Sequence, residues 1–266
     1  MASRTALFPA LLKYWRRERG MSQLDFALTA DVSTRHLSYM ETGRAKPSRE
    51  MVLRLAGVLG VPLREQNAML RAAGFEAEFE EPAFDNGLTP EVEYILDTML
   101  KAHEPYPMAI MNRRYDALRV NEPAQRLLAS VIADPSALPT PLNLFHILLD
   151  ERLCKPFVQD WERTARLMMT RLQRECLMSP QDDDLQDLLR SSLEYAPDDW
   201  REPDLSTPMD ALLTIRLKRD DVELALITML TVFSAPQNVT LEELRIESYF
   251  PADETTRHFF ERSTPR

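Results

Sequence analysis

The six glycines of this chain stand at Gly20, Gly43, Gly57, Gly60, Gly74 and Gly87, and none follows. Glycine lets a backbone wrap tightly around phosphate groups, so a Walker loop or a dinucleotide fingerprint is excluded beyond Gly87. At 266 residues, with 44% hydrophobic and 28% charged residues, the chain suits one large or two ordinary globular domains. Its longest apolar run, Leu224 to Ala235, is far short of the roughly 20 residues of a membrane span. The β-branched and aromatic content of that run reads as a buried strand. At the start, Met1 to Leu12 is interrupted by Pro9 and followed by Lys13, Arg16, Arg17 and Arg19. That order of charge is wrong for a secretory signal and implies a cytoplasmic protein without a membrane partner. Cys154 and Cys176 form no CxxC pair, and His36, His103, His146 and His258 lack ligand spacing. No metal site, cofactor or disulfide framework is therefore expected.

Charge divides the chain. Up to Phe75 there are 12 basic residues against 6 acidic ones; beyond it there are 20 against 36. A basic head on an acidic body suggests that only the head approaches a polyanion, although charge alone leaves room for a chance fluctuation. The boundary is legible at Gly74-Phe75, where a helical pattern closes, followed by an acidic, turn-prone stretch through Pro82 and Asp85-Asn-Gly87. The expected organisation is a head over 1–75, an acidic linker over 76–88 and a second domain over 89–262. The Pro-rich segments 134–141 and 196–203 read as loops inside that second domain.

The head reads as five helices. Leu7 to Arg19 has helical apolar spacing and stops at Gly20. Ser22 caps a second helix over Gln23 to Ala30, and Ser33 caps a third that buries Leu37 and Met40 and ends at Glu41. Ser48 caps a fourth, carrying Val52, Leu55, Ala56 and Leu59 inward, and Leu63 to Ala73 supplies a fifth. Two short helices joined by a tight turn, the second and third, fit a helix-turn-helix unit.

The segments Met21-Ser-Gln-Leu-Asp-Phe-Ala27, Val32-Ser-Thr-Arg-His-Leu-Ser38, Glu41-Thr-Gly43, Pro47-Ser48 and Leu55-Ala56 resemble the Xre/Cro phage-repressor family over about 10–73. One position departs: the turn between the second and third helices often holds glycine in that family, and here holds Asp31, which also tolerates a left-handed backbone. The resemblance implies that the third helix enters the major groove of double-stranded DNA through Thr34, Arg35, Ser38 and Tyr39, with Ser33 and His36 counted among the DNA-binding residues beside them. Arg35 suits guanine, because its guanidinium fork matches the O6/N7 acceptor pair. The bland alternative for Arg35 is a solvated surface arginine. His36 is read as a phosphate or neighbour contact. Gln23 would meet a phosphate through its amide at the helix N-terminus, and Arg44 and Lys46 would add sequence-independent contacts. The same resemblance pairs Arg16 with Glu41 as a partly buried ion pair; the alternative is that Arg16 joins Arg17 and Arg19 in a basic patch facing DNA.

The body reads as α+β. Pro90 to Lys101 is an amphipathic helix with Val92, Ile95, Leu96 and Met99 on one stripe. Strand patterns occupy 107–111, 115–120, 211–218, 222–233 and 244–250, with helical patterns over about 122–195. The run at 222–233 is apolar on both faces and so belongs at the centre of the sheet. This order suggests a PAS-like antiparallel sheet of five strands. Asp116…Asn121-Glu-Pro-Ala124, Asn143-Leu-Phe145, Trp161…Ala165, Phe233-Ser-Ala-Pro236 and Ser248-Tyr-Phe-Pro-Ala-Asp253 resemble the MmyB-like ligand-binding domain of bacterial transcription regulators over about 90–260. The resemblance implies an elongated apolar ligand such as a fatty acid. Phe145, Trp161, Met168, Met169 and Met229 are candidates to line its cavity, against the commoner alternative that each is plain core. Asp182-Asp-Asp184 reads as a solvated helix start and not a catalytic cluster.

Together these features suggest a homodimeric, ligand-responsive transcription regulator without enzyme activity. Its dimer contact would lie in the body, the head having few apolar residues to spare once its core is filled. The competing class is a DNA-binding adaptor or antitoxin-like protein whose acidic body holds a partner protein.

Overall fold

The computed structural model describes residues 7–179, 182–197, 200 and 213–262. Positions 1–6 of the chain start, much of the Pro-rich loop at 196–203 and the first two positions of the strand expected at 211–218 lie outside these. The chain divides into two compact units, Met1–Pro82 with Ala235–Glu242, and Ala83–Ser234 with Glu243–Arg266.

The first unit holds five helices, α1 (Leu7–Glu18), α2 (Gln23–Thr29), α3 (Thr34–Glu41), α4 (Arg49–Val58) and α5 (Leu63–Ala73). Their starts follow from side-chain caps. Ser22 Oγ accepts from Asp25 N, Ser33 Oγ from His36 N and Ser48 Oγ from Met51 N, each filling one of the four amides that a helix start leaves open. Asp31, in the turn between α2 and α3, has φ +52°, the left-handed backbone that a short polar side chain tolerates. One core unites Phe8, Leu12, Trp15, Phe26, Leu37, Met40, Val52, Leu55 and Leu70. Pro62 offers no side-chain cap to α5. Instead Leu63 N donates to Glu242 Oε2 at 2.7 Å, from the distant segment that completes this unit. Beside it, Val239 N donates to Glu80 O and Thr240 Oγ1 to Pro82 O. The expectation that little apolar surface remains outside this core fails on α2, where Leu24 and Leu28 are exposed one turn apart.

The second unit begins with α6 (Phe84–Gly87) and α7 (Pro90–Ala102). On α7 the buried positions are Leu96 and Leu100, while Ile95, expected on the inner stripe, faces out. Then follow β1 (Met108–Met111), β2 (Ala117–Val120), α8 (Glu122–Val131), α9 (Leu144–Leu149), β3 (Val158–Gln159), α10 (Trp161–Met178), α11 (Asp183–Ser192), β4 (Leu213–Arg219), β5 (Val222–Thr231), α12 (Val239–Glu243, which runs in from the first unit), β6 (Arg245–Pro251) and α13 (Glu254–Arg262). The sheet is antiparallel with order β2-β1-β6-β5-β4-β3. It has six strands where five were expected. The additional β3 is two residues long, pairing Val158 with Leu217 and Gln159 with Arg216, and a pair of residues is too short to show an alternation. On β5, Leu224, Ala225 and Leu226 are buried in succession, as a strand covered on both faces requires. Behind it Ala225 N donates to Thr256 Oγ1 of α13, and in front lie α9 and α10 with Phe145, Leu148, Met168 and Leu172.

Several polar residues of the quoted motifs act as clamps. Asn121 caps α8 through Ala124 N, accepts from Met108 N at 2.9 Å and donates to Tyr106 O at 2.8 Å. Asn143 caps α9 and donates to Arg114 O and Asp116 Oδ1. Both are almost fully buried, so each satisfied amide fixes where a helix leaves the sheet.

Candidate functional site

In the first unit, α3 turns Leu37 and Met40 into the core, which leaves Thr34, Arg35, Ser38 and Tyr39 on the opposite face. Thr34 and Arg35 are exposed, Ser38 and Tyr39 partly so. Arg35 Nε donates to Tyr39 Oη at 3.1 Å, and its guanidinium carbon stands 5.4 Å from the Tyr39 ring centre. Tyr39, one turn on, thus braces the guanidinium through Nε, a bond that leaves the two terminal nitrogens unused for bidentate base recognition. Ser33 is spent on its cap, where its hydroxyl accepts from His36 N, and His36 is partly exposed. Arg44 and Lys46, after the helix, are exposed cations.

Gln23 has a partner inside the protein as well. Its Nε2 donates to Glu41 Oε2 at 2.7 Å, which uses one of the two donors of the partly exposed amide. Glu41 in turn binds Arg16 in a two-pronged pair, Nε to Oε1 at 2.6 Å and Nη2 to Oε2 at 3.0 Å, while Arg16 Nη1 donates to Met21 O. Arg16 and Glu41 are both buried. Burial pushes the Glu41 carboxyl up, but hydrogen bonds from Arg16 and Gln23 and the charges of Arg16 and Lys13 outweigh it and hold the group below its ordinary value. Arg16 therefore ties α1 to the end of α3 and the start of α2; its guanidinium does not face outward as part of a basic patch.

The second unit contains two cavities on the inner face of its sheet. One, of about 420 Å³, is walled almost entirely by aliphatic side chains, including Met111, Leu127, Leu142, Ile147, Leu217 and Leu226. The other, of about 300 Å³, is lined by Phe145, Met168, Met229, Tyr115, Arg171 and Glu247, among others. Leu144, Leu148 and Ile215 belong to the walls of both. Three of the five expected cavity residues thus meet at the smaller cavity. Trp161 and Met169 are not among its lining residues: Trp161 Nε1 donates to Leu148 O with Lys155 over its ring, and Met169 is fully buried. The aliphatic cavity, Arg171 and Glu247 escaped the sequence reading, because residues from α8, α9, α10 and five strands form these walls and no local spacing joins them.

The smaller cavity has a polar end. Tyr115 Oη and Arg245 Nη2 both donate to the Glu175 carboxylate. Beside them Glu247 is 2% exposed, and its Oε2 has no hydrogen-bond partner, as is also true of the buried Nη2 of Arg171. Burial raises the Glu247 carboxyl above its ordinary value, against the Arg171 charge and a Thr228 hydrogen bond that oppose the shift. Each unsatisfied buried group costs about 1–3 kcal/mol.

No described helix is long and apolar enough to cross a membrane. Among the described residues, no group of three His, Cys, Asp or Glu side chains is placed to hold a metal. Cys154 and Cys176 are buried free thiols, pushed by burial up to about 12 and about 11. Asp182, expected to be solvated, is buried instead: it caps α11 through Leu185 N and pairs with Arg113, while Asp183 and Asp184 are exposed as expected.

A comparison with curated proteins finds no match. A solved structure titled as that of an RNA-binding light-oxygen-voltage receptor is similar at 15% identity and a TM-score of 0.29, over 95% of this chain and 55% of that one. The chain thus spans little more than half the length of that structure. Residues 12–66 match the helix-turn-helix family. Residues 92–262, well over half of the chain, match the MmyB-like transcription regulator ligand binding domain, so this chain belongs to that family and carries a helix-turn-helix unit ahead of that domain.

Proposed function

We propose that this regulator binds a two-fold symmetric DNA site as a homodimer, reads it with α3, and senses a small apolar ligand in the sheet unit. The braced Arg35–Tyr39 pair on the outward face of α3 carries the DNA-reading part. Arg35 would contact a guanine, Thr34, Ser38 and Tyr39 would reach neighbouring base edges or phosphates, and Arg44 and Lys46 would hold the backbone. The aliphatic cavity of about 420 Å³ supports an apolar ligand, since a preformed pocket with few polar groups is where such a molecule gains most from leaving water. The strand order β2-β1-β6-β5-β4-β3, in which the first strand pairs with the last, is consistent with a PAS-like arrangement.

A single recognition helix covers only a few base pairs. Two half-sites about 34 Å apart, one turn of duplex, therefore call for two copies held together. Footprinting and sedimentation on the full chain test this: a dimer protecting a symmetric site is expected, and a monomer protecting an asymmetric one overturns the dimer. Mass spectrometry of the purified protein under native conditions tests the sensor, with a retained apolar molecule expected. A protein that retains none and melts at the same temperature with and without added apolar compounds contradicts it.

A further inference from the structure

The smaller cavity of the sheet unit has two buried polar atoms without partners, Arg171 Nη2 from α10 and Glu247 Oε2 from β6. The other polar groups around them are engaged. Glu175 receives Tyr115 and Arg245, and Thr228 hydrogen-bonds Glu247. The rest of the lining is apolar, with Phe145, Leu148, Met168 and Ile215 closest to the argument. Buried polar atoms in folded proteins are nearly always satisfied, and two such exceptions from different elements lining one cavity are a place for a ligand group to complete.

We propose that this cavity recognises an apolar small molecule through a neutral headgroup that both donates and accepts hydrogen bonds, of the carboxamide kind, bridging Arg171 Nη2 and Glu247 Oε2. This rests on the sensor reading above, adds the chemistry of the head, and seats it in the smaller cavity, which shares Leu144, Leu148 and Ile215 with the aliphatic one. The two protein groups are of opposite sign, so a charged head suits one and opposes the other. A carboxylate would meet Arg171 but bring like charge beside Glu247, and an ammonium would do the reverse. A carboxamide has the shape of a carboxylate, carries a carbonyl and an amine on one carbon, and enters a buried site without the cost of desolvating an ion. It also serves either state of Glu247: its N–H donates to the carboxylate, and its carbonyl accepts from the protonated acid. The hydrocarbon part would lie along Phe145, Leu148 and Met168.

Isothermal titration of the full chain at neutral pH with octanamide, octanoate and octylamine, which share a hydrocarbon chain, tests this. Octanamide is expected to bind about tenfold more tightly than either charged probe, a difference of about 1.4 kcal/mol. Glu247→Gln, which keeps the shape and removes the acid, should weaken the preference for octanamide over octanoate by a similar factor while circular dichroism stays unchanged. Octanoate or octylamine binding the unsubstituted chain as tightly as octanamide overturns the proposal, and this comparison holds even if the variant does not fold. Binding of none of the three also overturns it. The sensor reading is judged separately by whether the purified protein retains any apolar molecule.

Discussion

Arg16 with Glu41 in the helical unit, and Arg171 with Glu247 in the sheet unit, bring opposite charges near one another, yet Arg16 and Glu41 close on each other whereas Arg171, a quarter exposed, is joined through Nε to Glu175, 3.5 Å away. Glu41 receives two nitrogens of Arg16 and one of Gln23, and the remaining Arg16 nitrogen donates to a backbone carbonyl. Glu247 and Arg171 each keep a buried atom with no partner, and a cavity lies between the sheet and α10 at that place. A buried ion pair repays its desolvation only when its geometry and remaining hydrogen bonds are complete. The closed pair therefore fixes α1 against α3, whereas Arg171 and Glu247 each keep one buried atom unsatisfied. The carboxyl groups respond accordingly: Glu41 is held below its ordinary value by its partners, and Glu247 is raised by burial.

The largest expected effect breaks the closed pair. Glu41→Ala leaves Arg16 charged and without its carboxylate in a buried site, and should cost about 3–5 kcal/mol in urea denaturation. A loss no greater than that of the cap variant Ser33→Ala, about 1 kcal/mol, would show that the pair does not hold the helices together. Because the Glu41 carboxyl is depressed in the folded state, its contribution is present above its unfolded value of 4.5 and is lost as pH falls through the lower folded value. Acid denaturation of the unsubstituted chain should therefore steepen below that point, and Glu41→Ala should flatten the curve there.

Next comes the reading face. Arg35→Ala should weaken specific DNA binding by about 1–3 kcal/mol with the melting temperature nearly unchanged, because Arg35 is exposed and lies against Tyr39 on the helix surface. An unaltered genome-wide binding profile would remove Arg35 from base reading. Arg44→Ala should act differently, lowering affinity alike for all sequences and reducing the slope of log affinity against log salt by about 1. A sequence-dependent loss would make Arg44 a base reader.

The smallest effect sharpens the contrast at Glu247. A carboxyl raised in the folded state favours folding below its unfolded value of 4.5, and this advantage disappears as pH rises through the folded value. Glu247→Gln should thus gain stability at neutral pH, by about 1 kcal/mol or less since the new amide also needs partners, and gain nothing in acid. A variant less stable than the unsubstituted chain at neutral pH would mean that Glu247 is satisfied in the folded protein.

What could be read from the sequence was local. The caps at Ser22, Ser33 and Ser48, the inward Leu37 and Met40, and the doubly buried run on β5 all follow from spacings of a few residues, because capping and burial periodicity act within one or two turns or along one strand. The same locality explains the misses. Gln23 finds Glu41 18 positions away, a partner that no sequence pattern shows. Asp182 looked solvated because Arg113, on a loop far earlier in the chain, carries no mark of the pairing. The strand β3 exists only because β4 offers it a free edge, which two residues by themselves cannot announce. The cavities are a stronger case: Arg171 from α10 and Glu247 from β6 lie 76 positions apart, and the space between them is set by how α9 and α10 pack on the sheet. Short-range hydrogen bonding and periodic burial thus determine which helices and strands form, while long-range packing decides which polar atoms end with partners and which remain open to a ligand.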